Sequence, residues 1–178
     1  MKSYDKIEAY GVVLHRLTIE KIEMRRTWRN HPKIQQYMEY REEITPEMQF
    51  AWFHRIDNAN NYYFIIEAEG REIGCINVRD IDYEAGVGEP GIFIWDDDFL
   101  NSTYSFRAAL TLTDFCFYDL KLNHLVIHIL KDNARAIKYN LAQGYKMSSG
   151  QENIYNQEYT LIPEHYEKKK AKLIKYLL

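Results

Sequence analysis

Apolar residues recur along this chain in two rhythms, and the changes of rhythm mark out its elements. Residues 10–17 (YGVVLHRL) and 62–69 (YYFIIEAE) are short runs of β-branched and aromatic residues, which predicts strands. Glu69-Gly70-Arg71 reads as a hairpin turn into another strand at 72–78. Residues 91–95 (GIFIW) and 125–130 (LVIHIL) predict two more strands, and 145–148 and 154–162 a closing pair. Helical spacing begins at Ile19 after Thr18, a candidate N-cap, in a segment that carries Arg25, Arg26, Trp28 and Arg29. It breaks at Asn30-His31-Pro32, because proline disfavours helical geometry in the residue before it. A helical piece follows at 33–40. Thr45-Pro46-Glu47 is a strong helix start, with Met48, Trp52, Phe53 and Ile56 recurring behind it. A long apolar helix is expected from Thr103 to about Leu120, and a shorter one from Asn133 that stops at Gly144-Tyr145. Pro163-Glu164 opens a last helix, with Tyr166, Leu173, Ile174 and Leu177 on one side and Lys168 to Lys170 exposed.

This order predicts an α/β fold, a mixed central sheet of about six to seven strands flanked by helices on both faces. Glu89 to Tyr145 forms a βαβα unit whose two strands are expected to be parallel neighbours. The helix at 103 starts directly after a strand, past a loop that holds Asp96, Asp97 and Asp98. Its first amides carry roughly half a positive charge and suit an anionic ligand. No repeat, low-complexity segment or linker interrupts the 178 residues, which suit a single domain spanning 1–178.

Composition narrows the partners. A formal charge of -3 argues against a nucleic-acid binder. Cys75 and Cys116 both fall in apolar runs and read as reduced core thiols, which favours a cytoplasmic protein. No charged-then-apolar leader opens the chain, and no apolar run approaches the ~18 residues of a membrane span, so neither secretion nor membrane insertion is expected. The 15 Tyr residues serve packing or a pocket that stacks a flat ligand. No metal site is expected.

Asn133-x-x-Ala136-Ile137, ending at Gly144-Tyr145, resembles the N-x-x-A-I … G-[FY] ending of the GNAT superfamily of N-acetyltransferases, and the resemblance covers nearly the whole chain. Trp28-Arg29-Asn30-His31-Pro32-x-Ile34-x-x-Tyr37-Met38 is similar to the nucleotide-sugar branch, which acetylates UDP-linked amino sugars of pseudaminic acid synthesis. The Thr45 … Gln49-x-x-Trp52-Phe53 pattern is shared with relatives that acetylate ribosomal-protein N-termini. The resemblance implies acetyl-CoA as co-substrate, with its pantetheine arm along Ile92, Phe93 and Ile94 and its pyrophosphate on the loop and helix start formed by Asn101, Ser102, Thr103, Tyr104 and Ser105. It also implies contacts from Asn133, Ala136 and Asn140. The acceptor is a small-molecule amine, favoured as an amino group on a nucleotide-linked sugar, in a monomer or homodimer. Peptide N-termini, polyamines, aminoglycosides, or a binding protein of the same fold that has lost transferase activity are the alternatives.

Two departures qualify that reading. The usual phosphate loop contains glycines that let backbone approach the phosphates, and Leu100 to Ser105 contains none. Asn101 tolerates left-handed geometry there, and the hydroxyls of Ser102, Thr103 and Ser105 are candidate phosphate ligands; Arg107, Arg135 and Lys138 are candidates to offset the nearby acids. Position 140 often holds the tyrosine that protonates the departing thiolate, and here it is Asn140; Tyr139 is adjacent but turned by about 100° on a helix. Asn133 reads first as a helix N-cap. Glu89 is the candidate base, with a solvated turn glutamate as its plain reading; His31, His54 and His128 are alternatives. His128, mid-strand, reads more readily as a core histidine. Trp28, Arg29, Asn30 and His31 are the candidate acceptor site, Arg29 as a bidentate clamp for phosphate or carboxylate.

Overall fold

A computed structural model describes residues 4–177. Its strands are β1 (Lys6–Ala9), β2 (Val12–Arg16), β3 (Tyr62–Ala68), β4 (Arg71–Asp82), β5 (Val87–Ile94), β6 (His124–Leu130), β7 (Lys146–Met147) and β8 (Asn156–Leu161). The helices are α1 (Ile22–Asn30), α2 (Pro32–Gln35), α3 (Pro46–Ile56), α4 (Tyr104–Asp114), α5 (Ala134–Gln143) and α6 (Pro163–Leu177). All eight strands form one sheet in the order β1-β2-β3-β4-β5-β6-β8-β7. Every neighbouring pair is antiparallel except β5 and β6, which are parallel as the βαβα unit requires.

The sheet is wider than expected because Lys6–Ala9, ahead of the strand expected at 10–17, adds an edge strand of its own. Tyr10 and Gly11 take left-handed geometry, φ 53° and 75°, and fold Lys6–Ala9 back onto Val12–Arg16. The charged edge strand KIEA hid that hairpin from a search for apolar runs. Thr18 makes no side-chain cap bond, and Ile19–Lys21 is a single 3-10 turn before α1 begins at Ile22. The piece expected over 33–40 is only the one turn of α2, capped by His31, whose Nδ1 accepts the Lys33 amide at 3.2 Å. Thr45 does cap α3, accepting from the Met48 amide at 3.2 Å. Inside α3, however, Met48 is exposed and Gln49 is buried in its place.

The long helix divides. α4 ends at Asp114, and Phe115–Asp119 continues as a π-helical turn in which the Leu120 amide reaches the Phe115 carbonyl at 2.9 Å. Asp114 at that junction accepts from Tyr10 (2.5 Å), Tyr166 (2.6 Å) and Lys170 (2.8 Å), tying the first hairpin, α4 and α6 together. Lys170 is therefore a partly buried tie and not, as expected, part of an exposed run.

Helices cover both faces, as predicted. On one face α4 and α6 pack over a core that includes Phe64, Ile66, Ile76, Leu110, Phe115, Leu125, Ile127 and Tyr166. On the other, α1 and α3 close a smaller core of Leu17, Ile22, Phe53, Ile56, Tyr63, Ile65, Cys75 and Trp95, with Phe93 packed against it. Cys75 and Cys116 are buried free thiols, and burial raises the pKa of both. No helix among the described residues is long and apolar enough to cross a membrane.

Candidate active site

β5 and β6 stay paired for only two positions, Val87 with His124 and Gly88 with Leu125. Beyond Gly88 they part, while β5 remains paired to β4 as far as Gly74 with Ile94. A stretch of β5 in the middle of the sheet thus has hydrogen-bonding groups with no strand beside them. Buried backbone groups are seldom left so, and an extended chain bearing amides is the natural complement to such an edge. Ile92 and Phe93, both half-buried, and Ile94, buried, lie along it.

Side chains alternate across a strand, so Glu89, Gly91 and Phe93 share the α1–α3 face while Gly88, Ile92 and Ile94 share the α4 face. Gly91 is bare on the first face: a Cβ there would stand 3.1 Å from Asn77 Oδ1. At the parting, Glu89 accepts from Arg79 at 2.7 Å. Burial alone would lower the Arg79 pKa, but its bond and attraction to Glu89 outweigh that and raise it. The Nδ1 of His128, from β6, stands 3.7 Å from Glu89 Oε1, and its Nε2 4.0 Å from Glu158 Oε2. The core role expected of His128 is wrong. It is exposed, because Ile127 and Ile129 take the core side of β6. Glu89 and His128 thus form an acid–imidazole pair that bridges the two parting strands.

The loop ahead of α4 settles its own charge. Arg71 reaches Asp96 at 2.5 Å and Asp98 at 3.0 Å, and Lys33 reaches Asp97 at 2.6 Å. Arg71 and Lys33, not the expected Arg107 and Lys138, neutralise these acids. Arg107 is spent elsewhere, on Thr103, the Tyr10 carbonyl and the Leu177 carbonyl. Arg135 does reach the loop, donating to the Leu100 carbonyl at 2.9 Å and to Asn101 Oδ1 at 3.4 Å. Asn101 is not left-handed, so the conformation expected of it is not used. Ser102 Oγ accepts the Tyr104 amide at 3.2 Å, while the amides of Thr103, Ser105 and Phe106 have no backbone acceptor among the described residues. A helix start with free amides beside neutralised acids can take an anion.

Asn133 caps α5 as expected, its Oδ1 accepting the Ala136 amide at 3.1 Å. Asn140 turns back on its own helix, donating to the Ala136 carbonyl at 2.8 Å. Ala136 and Ile137 are half-buried beside it, whereas Leu141 is exposed. The Tyr139 hydroxyl donates to the Ser105 carbonyl at 2.8 Å, and its ring packs on Phe106. Burial raises the Tyr139 pKa, which makes it a poor proton carrier near neutrality.

The four residues at the end of α1 serve different ends. Asn30 clamps the backbone of Ile44, donating at 2.8 Å and accepting at 2.9 Å, and so fixes the start of α3 against the end of α1. Trp28 lies parallel to Trp95, ring centroids 5.9 Å apart. With His31, Lys33, Glu72, Asp96 and Asp97 they line a cleft of about 520 Å³. Arg29 donates to the Tyr40 carbonyl at 3.0 Å but its other terminal nitrogen is buried without a partner. Burial first, and the charge of Arg25 second, push the Arg29 pKa down to about 10. Arg25, which sequence reasoning passed over, is buried on the same side. Its position one turn after Ile22 on the apolar face was the signal.

Residues 12–146 match the family model described as acetyltransferase (GNAT) domain. The chain belongs to the GNAT acetyltransferase family. Its fold matches FdhC, described as a nucleotide-linked sugar GNAT, with TM-score 0.80 and 20% identity over 97% of this chain and 98% of that one. It also matches the spermidine N-acetyltransferase of Vibrio cholerae, solved with CoA and spermine, at TM-score 0.76 and 18% identity over 89% of this chain and 99% of that one. A GCN5-related N-acetyltransferase from Brucella melitensis matches at TM-score 0.76 and 14% identity over 99% and 87% of the two chains. No curated protein matches the sequence. At these identities the GNAT neighbours establish the fold alone, and among the described residues no group of three or more His, Cys, Asp or Glu could hold a metal ion.

Proposed function

We propose that this GNAT protein, acting as one domain, moves an acetyl group from acetyl-CoA directly to a primary amine, favoured as the amino group of a nucleotide-linked sugar. The observation that carries the reading is the parting of β5 from β6 after Gly88, which leaves the 90–94 edge free beside a helix start with open amides. The residues fit the co-substrate: the β5 edge takes the amides of a pantetheine arm, and the α4 start with Arg135 takes its pyrophosphate. Acetyl-CoA supplies the acetyl group as a reactive thioester.

The chain's residues then do the rest. Both cysteines are buried, so no thiol stands ready as a nucleophile and transfer is direct. Glu89, beside His128, takes the proton that the acceptor ammonium must lose before it attacks. A backbone amide of the free β5 edge polarises the thioester carbonyl, and holding both reactants at the parting supplies most of the rate. A thiolate of ordinary pKa, about 8.5, leaves without a dedicated acid, which suits a site where position 140 is Asn.

The glycine-free loop and the inward-turned Asn140 favour a second reading, a GNAT-fold binding protein without transferase activity. A melting-temperature titration with acetyl-CoA tests the first step. At 100 times the dissociation constant a ligand stabilises by ~2.7 kcal/mol; no shift at millimolar acetyl-CoA overturns the enzyme reading. Release of free thiol in the presence of UDP-amino sugars, spermidine, and Ala- or Ser-ended peptides then separates enzyme from binder and names the acceptor.

A further inference from the structure

Two cations on α1, Arg25 buried and Arg29 half-buried, lack an acidic partner among the described residues. Arg25 is 9% exposed, and its guanidinium lies 4.2 Å from the Trp52 ring centroid, 5.3 Å from that of Tyr63 and 5.7 Å from that of Phe93. Its Nε is buried without a hydrogen-bond partner, and so is one terminal nitrogen of Arg29, one turn along the helix. Gln49, 1% exposed, leaves its Nε2 unpartnered as well. The Asn30 clamp on Ile44 holds the start of α3, the helix that carries Gln49 and Trp52, against the end of α1. No ion pair reaches Arg25 or Arg29 among the described residues. The aromatic rings around Arg25 recover only part of the hydration that a buried guanidinium loses. Buried donors without acceptors are rare, and here three of them, two cationic, occur on the α1–α3 face.

We propose that Arg25, Arg29 and Gln49 receive a phosphate-class dianion carried by the acceptor. Two guanidiniums and an amide offer the forked donors that a phosphate or diphosphate takes in several directions at once. The placement suits a substrate that spans both ends of this face. Arg25 stands over Phe93, and Phe93, Gly91 and Glu89 follow one another along the same side of β5. Glu89 and Phe93 are four residues apart on β5, roughly 13 Å at the rise of a strand, a span that a sugar ring together with the diphosphate it carries can cover. Two uncompensated cations also disfavour a polyamine here. That the dianion belongs to an acetyl acceptor rests on the transferase reading; that the site binds it does not.

Calorimetric titration of the full chain with UDP, inorganic diphosphate and L-glutamate, each with and without saturating CoA, tests this. UDP and diphosphate should bind saturably, and CoA should not displace them. Arg29→Gln should weaken both by at least ~10-fold, the size expected for a lost charge-assisted hydrogen bond, with CoA affinity unchanged. Arg25→Lys, which keeps the charge but not the fork, should show the same ordering. Displacement by CoA would place the anion at α4 and overturn the proposal, as would an Arg29→Gln protein that binds UDP like the wild type, or binding of glutamate alone. UDP binding that needs Arg29 in a protein that ignores CoA would keep this site and sink the transferase reading.

Discussion

The 96–98 loop and the inner side of α1 handle charge in opposite ways. In the loop three consecutive carboxylates each find a cation, two on Arg71 and one on Lys33. On α1 the buried guanidinium of Arg25 and the half-buried one of Arg29 find no carboxylate among the described residues, only aromatic faces, the Cys75 thiol and one backbone carbonyl. A charge near the surface costs little to pair, and the loop pairs all of its own. A buried charge left alone costs several times more, and such an arrangement persists where something besides folding selects it. The two regions flank the free edge of β5, one at the helix start and one over Phe93, so the contrast divides the site into an end already neutral and an end waiting for negative charge.

The hardest blow to this picture comes at the point between the two ends. Glu89→Gln keeps the bond to Arg79 but cannot accept a proton, and should lower kcat by ~100-fold or more with little change in melting temperature. Unchanged turnover would return Glu89 to a structural ion pair. Arg29 comes next. Its pKa in the folded chain lies near 10, below the unfolded value, so the protonated side chain opposes folding at neutral pH, and that penalty lifts only as pH rises through 10. A neutral replacement lifts it at every pH. Arg29→Met should therefore raise the melting temperature, by roughly 1–3 °C, while the KM of a phosphate-bearing acceptor rises. A lower melting temperature would mean that the bond to the Tyr40 carbonyl outweighs the unpaired charge.

Arg71→Ala exposes the other end. It strips Asp96 and Asp98 of their partner beside the α4 start, and should raise the KM for acetyl-CoA by ~3- to 10-fold, an effect that salt reduces. An unchanged KM would separate the pyrophosphate from this loop. Smallest of all, Lys168→Ala breaks an exposed pair with Glu164 on α6 and should leave melting within ~1 °C of wild type.

Much of the frame was readable from residue order. The apolar runs gave seven of the eight strands, the βαβα unit gave its parallel pair, and Thr45, Asn133 and Gly144 marked helix ends where the structure has them. The first hairpin escaped because its outer strand is charged and its turn begins with Tyr10, a residue uncommon in left-handed geometry. Within the candidate site, Glu89 and Asn133 could be singled out by place in the chain. Arg71 and Lys33 could not, because their partners lie 25 and 64 residues away, nor could Gln49, whose buried amide nitrogen has no partner among the described residues.

Local pattern, then, determined by itself most of the strands and helices, that β5 and β6 run parallel, and where α4 offers its amides, since periodicity and capping act over a few residues. Tertiary structure alone decided how far β5 and β6 stay together, which cations meet the three acids, that His128 faces Glu89 and not the core, and that no carboxylate among the described residues reaches Arg25 or Arg29. Those facts depend on which distant surfaces close over one another, and burial sets what a charge costs.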